Sequence, residues 1–169
     1  MLTAEDVIAL LQLVPLPIEG GFFRRTYTAA ERIQQSALPT RYPHDKDLAG
    51  TIYFLLRDVD ISALHRLLTD EVYHFYLGDP VELLLLYPDG SHAVHVLGHD
   101  LVAGQQVQLV VPRGVWQGSR VRPGGSFALL GTTMAPAYDP SDFELGARDD
   151  LAAHYPACAA LIAALTYDE

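Results

Sequence analysis

Cysteine, basic tracts and long apolar runs are all scarce in this sequence, and each scarcity removes a class of protein. The single cysteine, Cys158, has no internal partner for a disulfide. Nothing at the start shows the basic-then-apolar pattern of a secretory signal, so the expected setting is a reducing cytoplasm. The densest apolar run, residues 83–86, falls far below the roughly 20 residues that span a bilayer, and no membrane association is expected. There is no Lys/Arg tract, and 11 basic side chains face 21 acidic ones for a formal net charge of −10. Such a surface does not attract polyphosphate over a broad area, which argues against nucleic acid as a partner. A local arginine pair can still hold one small anion.

With half of its 169 residues apolar, the chain reads as one domain spanning residues 1–169. A chain of about 150 residues buries roughly 68–70% of its unfolded surface, so neither a disulfide nor a structural metal is needed. The opening predicts a helix: Thr3 suits the cap, Glu5 and Asp6 the first turn, and Val7, Leu10, Leu11 and Val14 recur at helical spacing. Pro15 and Pro17 end it. After Gly20-Gly21, residues 22–27 read as a first strand, and residues 29–46, with Pro39 and Pro43, as a long loop of the kind that carries binding residues.

Short strand-like segments then follow at 51–56, 62–67, 71–77, 81–87, 92–97, 105–111, 116–121 and 127–133. Gly78-Asp79-Pro80, Pro88-Asp89-Gly90 and Pro123-Gly124-Gly125 are turns between them. That spacing predicts an all-β sandwich or barrel with its core over about 19–135. Beyond Pro136 the pattern returns to helix, with one or two turns within 142–151 and a helix over 156–165, giving a C-terminal tail over about 141–166. Residues 81–87 are apolar on both strand faces, so the second face must meet either the terminal helices or another subunit. The expectation is a symmetric homodimer.

Seven histidines are present, and His74, His92 and His95 fall inside predicted strands. His65 stands apart, because Glu71 follows six residues later and the two can converge across a hairpin. Glu71 followed after six residues by Gly78, with His65 upstream, resembles the first cupin motif, G-x5-H-x-H-x3-4-E-x6-G, with Asp58 in place of its leading glycine. Pro112-Arg113-Gly114-Val115-Trp116-Gln117 resembles the P-x-G-x-x-H core of the second, with Gly104 as its leading glycine. Together with Glu19-Gly20-Gly21-Phe22-Phe23-Arg24 and the block from Asp70 through Pro80, these segments are similar to the RmlC-like cupin superfamily, and within it to the uncharacterised cupin-5 family. The resemblance implies a double-stranded β-helix or jelly-roll barrel with short N- and C-terminal helices, usually dimeric.

The same resemblance implies two chemistries. A metal-binding cupin takes two histidines, a glutamate and a further histidine, but here Leu67 and Gln117 occupy two of those places. The candidate ligands for a divalent metal are therefore His65, Glu71, His74 and Gln117. His74 lies an odd number of residues from Glu71 and in a regular strand faces the other way. No cofactor is assigned. The RmlC branch instead includes sugar-nucleotide epimerases, in which a histidine removes a proton beside a ketone and a tyrosine returns one. Leu64-His65 and Tyr138-Asp139-Pro140 resemble two of that enzyme's blocks, with His65 as base and Glu71 as the carboxylate orienting it. The epimerase's donor tyrosine is absent from the last strand, where Leu129, Leu130 and Gly131 stand, so a donor has to come from Tyr73, Tyr76 or Tyr138.

Arg24 and Arg25 point to opposite faces of a strand, and Arg25 is the candidate anion fork. Trp116, Tyr53 and Tyr76 are candidate pocket walls beside His74 and Gln117. Cys158 reads as a buried small residue. Gly20-Gly21 precedes a strand and is no phosphate loop, and neither Ser62 nor Ser119 sits in a G-x-S-x-G elbow. Three functions stay open: an epimerase or isomerase acting on a small polar, carbohydrate-like molecule in the barrel, a non-catalytic small-molecule binder, and a metal-dependent dioxygenase or isomerase with a reduced ligand set.

Overall fold

Proline chemistry shortens the first helix. In the computed structural model, which describes residues 2–167, helix α1 runs over Ala4–Leu11 and is capped reciprocally by Thr3 and Asp6. Pro15 holds the residue before it extended, so the helix closes at Gln12 in a left-handed conformation. Val14 therefore leaves the expected helix and enters strand β1 (Val14–Pro15), which pairs with β2 (Phe22–Thr28). Leu10, expected on the buried face, is 73% exposed. The segment expected as a loop carries a small ribbon of β3 (Arg32–Ile33) and β4 (Lys46–Asp47).

The barrel is built from β5 (Gly50–Arg57), β6 (Ile61–Leu67), β7 (Glu71–Gly78), β8 (Val81–Leu86), β9 (His92–Leu97), β10 (Gln108–Val111), β11 (Trp116–Val121) and β12 (Phe127–Met134). A further short strand, β13 (Phe143–Leu145), follows. Among the described residues these form a six-stranded sheet in the order β1-β2-β5-β12-β7-β10 and a five-stranded sheet in the order β13-β6-β11-β8-β9. All the paired strands are antiparallel, as an all-β barrel with hairpin connections requires. At the β7–β8 hairpin Gly78 takes φ +100°, and a Cβ there would stand 2.3 Å from the Phe127 carbonyl oxygen.

Alternation along the strands sorts the apolar residues into layers. Phe54, Leu56, Tyr73, Phe75 and Leu130 face Val81, Leu83, Leu85 and Val121 across the barrel interior. On the outer face of the larger sheet, Leu55, Phe127 and Leu129 pack under Ala4, Val7 and Leu13. On the outer face of the smaller sheet, Leu64, Leu84 and Leu86 pack under helices α2 (Arg148–His154) and α3 (Ala159–Ala164) through Leu151, Tyr155 and Ile162. The chain's own C-terminal helices thus cover the second apolar face of β8, and that strand no longer calls for a partner subunit. Each fully buried leucine there contributes about 1.5–3 kcal/mol.

Tertiary pairing takes the first part of the segment 142–151, within which one or two helical turns are expected. Phe143, Glu144 and Leu145 stand opposite Leu67, Arg66 and His65 as an added edge of β6, and Arg66 grips Glu144 with two bonds of 2.8 Å. The helix begins only at Arg148. Cys158 is buried beneath it, and desolvation raises its thiol, as suits an unreactive packing residue. No helix among the described residues is long and apolar enough to cross a membrane.

Candidate functional site

The apolar core does not fill the whole barrel. At the end where β5 and β7 begin and β6 and β12 finish, the register sets Met134 opposite Gly50 and Glu71, and Thr132 opposite Ile52 and Tyr73. Between these strand ends lies a cavity of about 250 Å³. Leu16, Phe23, Ile52, Leu67 and Met134 give it apolar walls, and Glu19, Arg25, His65, Glu71, Thr132 and Tyr138 bring polar groups to it. A mostly apolar concavity with a few convergent polar groups is the usual form of a small-molecule site.

His65, on β6, is 1% exposed. Its Nδ1 stands 2.7 Å from the Ala63 carbonyl oxygen. A carbonyl oxygen only accepts, so Nδ1 carries the proton and donates it, which leaves Nε2 with its lone pair. The ring also stacks on Phe143, with centroids 5.0 Å apart and planes 19° off parallel. The short strand β13 therefore helps fix the imidazole, and a backbone carbonyl does the orienting expected of Glu71.

Glu71, the first residue of β7, is 7% exposed and accepts a 2.8 Å hydrogen bond from Gln117 Nε2. Gln117 lies on β11 directly opposite His65 in the strand register, so its side chain ties the strand beside the histidine to the glutamate. Burial raises the Glu71 carboxyl above the ordinary carboxylate range, and the charge of Glu19 adds to it. His65 and hydrogen bonds from Thr132 and Gln117 work in the opposite direction. Gln117 Oε1 and Ser119 Oγ, both buried on β11, have no hydrogen-bond partner among the described residues. Tyr73 is buried beside Glu71, and its phenol is held well above the usual range by desolvation and then by the charges of Glu71 and Glu19.

Glu19 is the site residue that sequence patterning missed. Ser62 Oγ donates to Glu19 Oε1 at 2.8 Å, while the Glu19 carbonyl accepts from Ala63 N at 2.8 Å and from the Tyr167 hydroxyl at 3.1 Å. Gly20 takes φ +104°, and a Cβ there would stand 2.3 Å from the Ile61 carbonyl oxygen. The legible signal was Gly20-Gly21 just before a strand, since paired glycines mark a close approach of backbones.

At the mouth stand Arg25 and Tyr138. Tyr138 is 38% exposed, and burial with the charges of Glu19, Asp142 and Asp139 raises its phenol, against a lowering by Arg25. Its segment is tied on both sides, by Ala137 N donating to Asp47 O and by Asp139 N donating to Asp142 Oδ2, each at 3.0 Å. Arg24 points the other way, over the Tyr53 ring at 5.5 Å, as strand alternation requires.

The remaining candidates lie elsewhere. The register of β7 against β10 is unbroken from Glu71 to His74, so no bulge brings His74 round to the Glu71 side. His74 instead sits on the outer face, where its Nε2 is 3.1 Å from Thr133 Oγ1 and its Nδ1 accepts from Gln108 Nε2 at 3.3 Å. Tyr76 and Tyr53 share that face, edge to face at 5.9 Å, beside α1. Trp116 packs under the C-terminal helices with the Arg66 guanidinium 4.6 Å above its ring. These four are therefore removed from the cavity wall.

A divalent metal does not fit the donor set. Leu67 lines the cavity where a second histidine would stand, Gln117 is engaged with Glu71, and His74 is on the far face. Among the described residues no group of three or more His, Cys, Asp or Glu side chains is placed to hold a metal, whereas catalytic zinc takes three protein ligands.

The fold and this chain's sequence both have relatives. Protein SO0799 from Shewanella oneidensis is similar over 100% of both chains, with 34% identity and a TM-score of 0.88. A hypothetical protein from Leishmania major is 29% identical, covering 99% of this chain and 100% of its own, also with a TM-score of 0.88. The uncharacterized protein YML079W of Saccharomyces cerevisiae is 28% identical over 133 residues, 73% of this chain, and the match spans 66% of that relative's length. The family model Cupin_5, described as Cupin superfamily (DUF985), matches residues 5–146. That match takes in the cavity strands, Glu19 and Tyr138 together, and the chain belongs to the Cupin_5 family of the cupin superfamily.

Proposed function

We propose that this chain binds a small carbonyl compound in the barrel cavity and moves a proton on it, with His65 Nε2 as the base. The observation that carries this reading is the His65 ring, pinned through Nδ1 to the Ala63 carbonyl with its other nitrogen uncommitted in a largely apolar cavity. A base held in one tautomer needs no reorganisation before it accepts a proton. Burial raises the Glu71 carboxyl and so favours the protonated form, the form that can donate a hydrogen bond to the oxygen on which charge develops. Of the three tyrosines expected as donors, Tyr76 faces outward and Tyr73 does not line the cavity, which leaves Tyr138 to return the proton. The isomerase or epimerase class follows from that pairing.

The cavity also narrows the ligand. A carbohydrate carries hydroxyls around its whole ring and each needs a partner on burial, which Leu16, Phe23, Ile52, Leu67 and Met134 do not offer. At about 250 Å³ the space is below that of drug-sized sites, which favours a ligand smaller than a nucleotide sugar. The proposed ligand is smaller and partly apolar. A symmetric homodimer is part of the proposal, and light scattering that returns a monomer at micromolar protein would remove it.

The test is solvent deuterium incorporation. Small ketones and oxo acids incubated with the protein in D2O are followed by proton NMR for loss of signal beside the carbonyl. The expected result is exchange that His65→Gln abolishes and Tyr138→Phe slows. If a compound stabilises the fold on binding but exchanges no faster than in buffer, the chain is a binder and the catalytic reading is wrong.

A further inference from the structure

We propose that the substrate is a short 2-oxo monocarboxylate, with Arg25 pairing its carboxylate at the cavity mouth and the apolar walls receiving its alkyl chain. The inference rests on the proton-transfer reading of His65 and adds the substrate class to it.

The first support is the disposition of the arginines. Arg32 pairs with Asp47, Arg57 with Asp60, Arg66 with Glu144 and Arg120 with Glu82. Arg24 lies over Tyr53. Arg25 lines the cavity and has no ion pair or hydrogen bond among the described residues. A planar guanidinium at a cavity mouth with its fork uncommitted matches a carboxylate in shape and charge.

The second support is the sign and number of the charges. The only lysine in the chain, Lys46, is buried against Asp142 and brings no charge to the cavity. One cation therefore faces Glu19 and Glu71 across this space. A phosphate dianion would meet a single arginine and two carboxyl groups, whereas a monoanion brings half that charge into the same surroundings. Because Glu19 and Glu71 line the same cavity, the anionic end belongs beside exposed Arg25 at the mouth and the carbonyl end inward.

The third support is size. A cavity of about 250 Å³ lies just below the range of sites that hold drug-sized ligands and suits a compact molecule. Arg25 and His65 line the same small cavity, so a carboxylate on Arg25 sets the reacting carbonyl close beside it. Leu16, Phe23 and Met134 then meet the alkyl end.

The step balances without any co-reactant. His65 Nε2 takes a proton from the carbon beside the ketone, that C–H pair becomes the new C=C bond, and the ketone oxygen becomes an enolate hydrogen-bonded by the Glu71 carboxyl. Return of a proton to the same carbon, from Tyr138 or from His65, restores the ketone, and the phenol recovers its proton from the imidazolium.

The experiment uses 2-oxobutyrate, its methyl ester and 2-butanone with the whole protein, by isothermal titration and by proton NMR in D2O. The expected result is saturable binding of 2-oxobutyrate with Kd of about 1 mM or tighter. Arg25→Gln is expected to weaken it about tenfold or more, Arg25→Lys less, and the ester is expected to bind weakly and equally to wild type and Arg25→Gln. An ester that binds as tightly as the acid, an Arg25→Gln protein that binds like wild type, or no saturable binding of the acid overturns the proposal. The two readings fail separately. Arg25-dependent binding without His65-dependent exchange sustains the carboxylate assignment and refutes proton transfer. His65-dependent exchange into 2-butanone that matches 2-oxobutyrate sustains proton transfer and refutes the substrate class.

Discussion

Lys46→Met is expected to destabilise this protein more than most single core substitutions, although it changes a residue of a two-residue strand outside both barrel sheets. The ammonium of Lys46 on β4 and the carboxylate of Asp142 are 3% and 0% exposed and in direct contact. Asp142 Oδ2 also accepts from Asp139 N at 3.0 Å, and Asp142 Oδ1 has no partner among the described residues. The Lys46 ammonium lies 5.5 Å above the Tyr42 ring, whose hydroxyl is 2.8 Å from Thr69 Oγ1. Removing the lysine strands a buried carboxylate, which costs about 3–5 kcal/mol, a large part of a typical 5–15 kcal/mol stability. Replacing both charges, as Lys46→Met with Asp142→Leu, removes the uncompensated charge as well. What remains is the loss of the hydrogen bond to Asp139 N, about 1 kcal/mol. Urea denaturation of wild type, both single variants and the double variant forms a closed cycle, and a coupling energy above about 2 kcal/mol is expected. A double variant whose loss equals the sum of the two single losses would refute the reasoning, as would a Lys46→Met protein within about 1 kcal/mol of wild type.

Other outcomes follow from the same packing. The Glu71 carboxyl is raised in the folded protein, so the native state holds a proton that the unfolded chain has already released, and stability falls as pH rises from the unfolded value near 4.5 through the folded value. Glu71→Gln should remove that decline, and urea midpoints of the two proteins across this window check it, with parallel curves counting against a raised carboxyl. Gly20→Ala should cost about 2 kcal/mol or more, because φ +104° and a carbonyl oxygen 2.3 Å from the new methyl group both oppose it, and denaturant unfolding measures it. Leu84→Ala, at a fully buried position beneath the C-terminal helices, should cost about 2–5 kcal/mol in the same assay, and a near-neutral result would mean that α2 and α3 do not pack there in solution.

Strand order and turn positions were legible because apolar alternation and glycine or proline turns are local signals, and the strands over 51–133 lie within a residue or a few of where those signals put them. Phe143, Glu144 and Leu145 were not legible, since they become a strand only by pairing with Leu67, Arg66 and His65, far away in the chain. The candidate site divides in the same way. His65, Glu71 and Arg25 line the cavity and Gln117 touches it through Glu71, each on a strand whose inward face alternation defines. The same alternation, applied to the odd spacing of Glu71 and His74, already pointed His74 outward. Tyr53, Tyr76 and Trp116 were undecidable, because aromatic residues suit a core, a sheet face and a pocket wall alike. Glu19 escaped because the paired glycines beside it signal only a close backbone approach, and Ser62, which meets its side chain, lies 43 residues away.

The proton-transfer account stands on the tautomer of one imidazole. Long-range nitrogen-15 correlation spectra of histidine-labelled protein, with the His65 signals assigned by their loss in His65→Gln, report which ring nitrogen carries the proton. The account predicts a protonated Nδ1, bonded to the Ala63 carbonyl, and a bare Nε2 facing the cavity. A proton found on Nε2 in the neutral ring would contradict it, because His65 would then have no lone pair to offer a substrate.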